Sequence, residues 1–310
     1  MKKRLIVGLT LIALIFSLTA CSAGKEKRRT LCIGVMPDID SVPLLVADKK
    51  GYFKDEGLNV ELKSLKNAGE GKNLLKKGTI DGAVCDVMSA ISAKDEGLDI
   101  KITSKTDGNY KLVVNKGLGI KEIADLKGKD ITVISDAITG YVTDKILERA
   151  GLNASAVNKV KVPDVNAVSG MLKSGKAVAA ALPEPLASEA SGSGAYVIGS
   201  SNMSDIDSGV MVFRADILKD NKDGVKYVYN AYNKAVDYLN NQAAMDYMDT
   251  IINVTGFPKE TKERMQPPSY SDAGPLSRKE ADNMMDWLIN RKLVKNNFSY
   301  KELTDNEFAK

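Results

Sequence analysis

Residues 31–94 read LCIGVMPDIDSVPLLVADKKGYFKDEGLNVELKSLKNAGEGKNLLKKGTIDGAVCDVMSAISAK, and the alternation within this stretch decides the fold. Leu31 to Met36 is an apolar run of strand length. Ser41 to Lys50 places Val42, Leu45 and Val46 on one helical face, and Pro43 suits a first helical turn, where its missing N–H is not needed. Leu58 to Leu62 is a second strand. Ala68 to Lys77 is a helix that Gly78 can end in a left-handed conformation. Thr79 to Cys85 is a third strand, and Asp86 caps a helix reaching about Lys94. Strand–helix alternation of this kind calls for parallel sheets with helices on both faces.

Working outward, strands fit Ile100 to Ser104 and Tyr110 to Asn115, and the pattern then repeats. Asp130 to Ser135, Val160 to Val162, Ala177 to Leu182 and Tyr196 to Ile198 read as strands. They are separated by helices at Thr139 to Ala150, Val165 to Lys173 and after Pro183. Val210 to Phe213 is a strand able to return to the first unit. Beyond Asp220 the chain is helical, around 221–240, 242–253 and 277–291. Trp287, Tyr227, Tyr238 and Tyr247 sit there at helical spacing and read as core or covering residues.

The N-terminus reads differently. Lys2, Lys3 and Arg4 precede an uncharged apolar run from Leu5 to Phe16, too short for a span of ~20 residues. Leu18-Thr19-Ala20-Cys21 follows, so residues 1–20 read as a secretory signal peptide. Those four residues resemble the bacterial lipobox. The resemblance implies that Cys21 carries a diacylglycerol thioether and begins the mature chain, with residues 21–30 as a lipid-anchored, solvated tether.

Composition excludes several classes. The formal charge is +4, and 41 − 40 = +1 without Lys2, Lys3 and Arg4, which leaves no electrostatic footprint for nucleic acid. There is no histidine, so the commonest general base and metal ligand is missing. Of three cysteines, Cys21 is committed, and Cys32 with Cys85 make a poor metal site. No cofactor, metal or catalytic constellation is expected.

Four stretches in order carry a family resemblance. Val42 to Ala47, Lys50-Gly51-Tyr52-Phe53 and Glu56-Gly57-Leu58-Asn59-Val60-Glu61 form the first. Leu75 to Ala83 form the second and Asp125 to Ile131 the third. Asn166-Ala167-Val168 through Gly175 to Pro183-Glu184-Pro185-Leu186-Ala187 form the fourth. Together they resemble the substrate-binding proteins of thiamine-pyrimidine, sulfonate and nitrate ABC importers. The resemblance implies an α/β, two-lobed periplasmic-binding-protein type II fold, each lobe a mostly parallel sheet flanked by helices, with two crossover hinge segments. Residues 31–115 plus 208–310 are expected to form lobe 1 and residues 116–207 lobe 2. The crossings fall near Asn115–Lys116 and Asp207–Val210. With the family's sheet order, Cys32 and Cys85 stand about four residues apart along parallel neighbouring strands, roughly 13 Å. That is too far for a disulfide, and Cys32 is expected to be buried.

In such sheets the ligand lies beyond the carboxyl ends of the strands. This nominates Asp38, Asp40 and Ser41 after the first strand, one of them serving as a helix cap. Asp86, Met88 and Ser89 follow the third strand, Asp86 again being a plausible cap, and Thr106 and Asp107 follow the fourth. In lobe 2 it nominates Asp136, Thr139, Gly140, Tyr141 (stacking on a flat ligand or packing on the rim), Asn166 and Glu184. Glu184, set between two prolines, is the first choice for a polar ligand contact. Six of these residues are acidic and none is arginine, which favours a thiamine-related aminopyrimidine or another amine-bearing solute over a sulfonate, taurine or nitrate. The expected role is extracytoplasmic capture by a lipid-anchored monomer, on the cell-membrane surface, and delivery to a permease with its ATPase. A pyrimidine-synthesising enzyme is the rival from another class. The eukaryotic branch that resembles this family depends on histidine and a cysteine-rich motif, both absent here. A signalling lipoprotein without a transporter is the third reading.

Overall fold

The computed structural model describes residues 30–134, 137–162, 165–201, 206, 208–266 and 268–309. In chain order its strands and helices are β1 (Leu31–Val35), α1 (Val42–Lys50), α2 (Tyr52–Asp55), β2 (Val60–Ser64), α3 (Ala68–Lys76), β3 (Gly82–Asp86), α4 (Val87–Asp95), β4 (Ile100–Thr106) and β5 (Tyr110–Asn115). Next come β6 (Asp130–Ile134), α5 (Ala137–Arg149), β7 (Asn158–Val162), α6 (Val165–Lys173), β8 (Ala179–Pro183), α7 (Leu186–Gly192) and β9 (Ala195–Ser200). The chain closes with β10 (Gly209–Arg214), α8 (Ala215–Asp220), α9 (Lys222–Asn240), α10 (Ala244–Thr255), α11 (Arg278–Asn290) and α12 (Tyr300–Leu303).

Local signals act as the residue types dictate. Pro43 occupies the first turn of α1. Asn67 caps α3 by accepting from Glu70 N at 2.9 Å, and Gly78 follows at φ 66°, a conformation glycine adopts without a Cβ penalty.

Two five-stranded sheets result, in the orders β2-β1-β3-β10-β4 and β7-β6-β8-β5-β9. In the first, β1 runs parallel to β2 and β3, while β10 is antiparallel to β3 and β4. In the second, β6 runs parallel to β7 and β8, while β5 is antiparallel to β8 and β9. Each sheet therefore contains one reversed strand, and that strand is the one the chain forms on arriving from the other sheet.

This corrects one expected boundary. Tyr110–Asn115 pairs in the second sheet, so the first crossing lies between Thr106 and Tyr110, not at Asn115–Lys116. Periodicity identifies a strand but not the sheet it joins. The second crossing lies between Ser200 and Gly209, near its expected place.

The apolar core has three parts. One lies between β1, β3 and β10 and the helices α1 and α9, with Leu31, Ile33, Phe213 and Tyr232 nearly sealed from solvent. Another lies under α6 and α7 against β5 and β8. The largest joins both lobes, running from Val87, Met88 and Ile91 on α4 through Tyr141 and Val142 on α5 to Met284 and Leu288 on α11. Each fully buried side chain of this size contributes about 1.5–3 kcal/mol.

Ile33 pairs with Gly82, so Cys32 stands one step before that pair and Cys85 three steps beyond it. Both are free thiols. Cys32 is half-buried rather than buried: it faces the opposite side of the sheet from the sealed Leu31 and Ile33, at the periphery of the shared core. Among the described residues, no helix is long and apolar enough to cross a membrane.

Candidate functional site

The carboxyl ends of β1 and β3, the end of β4 and the start of β5 converge where the chain crosses between sheets. Asp38 and Asp40 come from the β1–α1 turn, Asp86 from the end of β3, and Tyr110 from lobe 2. Burial raises the Tyr110 phenol well above its ordinary range, and the charges of Asp86, Asp40 and Asp38 push it further. Tyr110 therefore faces this acidic group. The expected boundary had assigned it to lobe 1, which hid it as a candidate.

Three of the acids are engaged by a serine just ahead in the chain. Asp38 Oδ1 accepts from Ser41 N at 3.1 Å. Asp86 accepts from Ser89 N at 2.9 Å and from Ser89 Oγ at 2.6 Å. Glu184 accepts from Ser188 N at 3.1 Å and Ser188 Oγ at 2.9 Å, and is ion-paired to Lys111. Asp86 and Glu184 each accept from an orphan N–H in the first turn of the following helix, α4 and α7, whereas Asp38 closes the turn ahead of α1, whose start has no side-chain cap. Burial pushes Asp38 up to about 6, against the hydrogen bonds from Ser41.

Asp40 does something else. Thr106 Oγ1 donates to its Oδ1, and the carboxylate lies against the backbone at Gly108 in the first crossing and at Gly209, the first residue of β10. Burial holds its pKa well above the ordinary range, and the Asp38 charge adds to this.

Several nominated side chains do not face the seam. Ser41 is sealed, its Oγ accepting from Met36 N at 3.1 Å. Met88 is 1% exposed within the shared core. Thr139 is buried and closes the β6–α5 turn by accepting from Ile134 N at 2.9 Å. Tyr141 is 1% exposed and meets Trp287 edge-on, with ring centroids 5.9 Å apart. It therefore packs inward and does not stack in the cleft, and burial followed by the Glu280 charge raises its phenol. Gly140 lies beneath the same indole, where an added Cβ would stand 3.4 Å from it. These residues sit at helix starts, where sequence position cannot tell the cleft side from the core side. Asp107 accepts from Ser271 N at 2.8 Å. Cys21, Asp136 and the side chain of Asn166 lie outside the described residues.

Glu184, the first choice for a ligand contact, is 2% exposed. Its partner Lys111 is also buried and was not nominated. A lysine inside an apolar strand pattern is a signal of a buried partner, since an unpaired buried ammonium is costly. Among the described residues, no group of three ligating side chains is placed to hold a metal ion.

Comparisons with known proteins agree with this architecture. The family model for NMT1/THI5-like proteins matches residues 38–244. A putative aliphatic sulfonates-binding protein of Bacillus subtilis (strain 168) is 25% identical over 331 residues, covering 100% of this chain and 96% of that protein. A 4-amino-5-hydroxymethyl-2-methylpyrimidine phosphate synthase of Saccharomyces cerevisiae, THI11, is 28% identical over 110 residues, 34% of this chain and 32% of the synthase. The alkanesulfonate-binding protein of Xanthomonas axonopodis pv. citri, solved bound to MOPS, superposes with a TM-score of 0.74 at 17% identity. That match covers 89% of this chain and 98% of that structure, and the likeness shows the type II periplasmic-binding-protein fold.

Proposed function

Because the chain belongs to the NMT1/THI5-like family, we propose that it is the extracytoplasmic receptor of an ABC importer, capturing a small solute between its lobes and delivering it to the permease. Domain closure around a ligand is the motion this architecture allows. Capture without chemistry fits a chain with no histidine. The relative matched over the whole chain is named a binding protein, whereas the synthase matches about a third. Cys21, by its lipobox, anchors the mature protein to the membrane surface, with residues 22–30 as the tether.

The favoured ligand class is an aliphatic sulfonate, the class named for the whole-chain relative. The observation that carries this over an amine is the engagement of Asp86 and Glu184 by the first turns of their helices, of Asp38 by the turn ahead of α1, and of Glu184 also by Lys111. Counting acids in the sequence favoured a cationic ligand, but these carboxylates already have donors. Asp38 and Asp40 are also shifted toward their neutral forms, which weakens the field that would repel an anion.

One observation favours an amine-bearing solute such as an aminopyrimidine. Asp38, Asp40 and Asp86 still act on Tyr110, and none of the nominated strand-end residues is an arginine. The test is a thermal-shift and calorimetric screen of residues 22–310 against ethanesulfonate, taurine, nitrate and 4-amino-5-hydroxymethyl-2-methylpyrimidine. A bound ligand at a hundred times its Kd stabilises by about 2.7 kcal/mol. Stabilisation by ethanesulfonate is the expected result. Stabilisation by the aminopyrimidine alone would transfer the function to the second reading, and none by any of the four would remove both.

A further inference from the structure

The first crossing carries Gly108, and Gly209 opens β10 where the second crossing ends; neither has the positive φ that would require a glycine. The Asp40 carboxylate excludes a side chain at both, joined at Gly209 by the Thr106 hydroxyl. A Cβ at Gly108 would lie 2.5 Å from Asp40 Oδ1 and 2.7 Å from its Cγ, and all three of its nearest neighbours belong to Asp40. A Cβ at Gly209 would overlap Asp40 Oδ1 and Thr106 Oγ1. Real Cβ atoms do not approach this closely, so the carboxylate occupies a slot that exists only because Gly108 and Gly209 lack side chains.

Asp40 is fixed in that slot from lobe 1. Thr106, the last residue before the first crossing, donates to it. The crossings are tied to each other, Ser208 Oγ donating to Gly108 O at 3.2 Å. The second is tied to lobe 1, where Val87 N donates to Ser208 O at 3.0 Å. The first is tied to lobe 2, where Glu184 N donates to Asn109 O at 3.0 Å.

We propose that Asp40 is the hinge pin of this protein, a positioning residue whose carboxylate sets the angle between the lobes by bearing on the first crossing at Gly108 and on Gly209, where the second crossing enters β10. The turn that carries it, between β1 and α1, lies at a strand's carboxyl end beside the seam. Movement of this turn is thereby coupled to both crossings at once. The inference does not depend on which solute the protein binds.

The test needs no ligand. Spin labels are placed through noncanonical residues at Lys54 and Lys127, both exposed and one on each lobe, so that Cys32 and Cys85 stay intact. The interlobe distance is then measured by double electron–electron resonance. Asp40→Asn, which keeps the shape, is expected to retain the native distribution, and Asp40→Ala to broaden it. Gly108→Ala is expected to displace the distribution and lower the melting temperature. Adding Asp40→Ala to Gly108→Ala removes the clash, so the double variant returns to the Asp40→Ala distribution. An Asp40→Ala distribution as narrow as the native one, with only the melting temperature changed, would make Asp40 merely structural and overturn the proposal. A double variant no different from Gly108→Ala would do the same. If Gly108→Ala does not fold, the Asp40→Ala distribution alone decides.

Discussion

Glu184 and Lys111 form an ion pair across neighbouring strands of the second sheet, with side-chain exposures of 2% and 9%. Two opposite charges so enclosed stand or fall together. Each is desolvated, and each depends on the other and, for Glu184, on the two donors of Ser188. Removing one partner leaves a buried charge uncompensated, which typically costs about 3–5 kcal/mol, whereas replacing both can be nearly neutral.

Lys111→Met and Glu184→Gln are therefore each expected to destabilise the fold by about 3–5 kcal/mol, and the double variant by clearly less than the sum. Urea unfolding of the four proteins measures this. Additive losses would mean that the two charges do not depend on each other.

A second buried acid ties α11 to lobe 2. Asp144 on α5 is sealed from solvent, pairs with Lys159 and Arg291, and accepts from Trp287 Nε1 at 2.9 Å. Asp144→Ala should cost about 3–5 kcal/mol, and Trp287→Phe about 1–3 kcal/mol. Hydrogen exchange should quicken along α11 in both variants. Exchange that quickens only in α5 would mean that α11 is held by its apolar face alone.

The β1–α1 turn should make stability pH-dependent. Asp38 titrates at about 6 in the folded protein, against about 3.9 when unfolded. Between these values the folded state holds a proton that the unfolded state has released. The stabilisation is complete below the unfolded value and is lost as pH rises through about 6. Asp40 shifts in the same direction, and Asp86 and Asp107 are the further acids facing it. Asp38→Asn keeps an acceptor for Ser41 N and cannot ionise. Its melting temperature should therefore rise relative to the native protein as pH increases from about 4 to about 6, and the difference should level off above that. Parallel melting curves across that range would remove Asp38 as the source.

The resemblance of Leu18-Thr19-Ala20-Cys21 to a lipobox makes its own prediction. Expressed with its leader in a bacterium that processes lipoproteins, the full chain should partition into detergent and incorporate labelled fatty acid, and Cys21→Ala should do neither. Equal partitioning of the two would mean that membrane association does not require the thioether.

Much of the fold was legible in residues 31–94, because apolar strands, a proline in a first turn and Gly78 at a helix end are local physics. The place of Tyr110–Asn115 was not, because a strand's pattern is the same in either sheet and only pairing with β8 and β9 assigns it. The acids at strand ends were all visible, and so was a cap as one reading of Asp86 and of one among Asp38, Asp40 and Ser41. Asp86 does cap its helix, because Ser89 N points at it, whereas α1 starts without a side-chain cap and Asp38 closes the turn before it. For Tyr141 the sequence left stacking on a ligand and packing as alternatives, and only the edge-on contact with Trp287 decided for packing.

By itself, then, the sequence determined the alternation of elements, the family and the residues standing at the strand ends. Only the tertiary structure decided which acid caps a helix, which pairs with Lys111 and which bears on Gly108 and Gly209. Those outcomes depend on contacts between residues far apart in the chain, such as Asp40 with Gly209 and Asp144 with Trp287. Local propensity carries no information about a partner that only packing brings within reach.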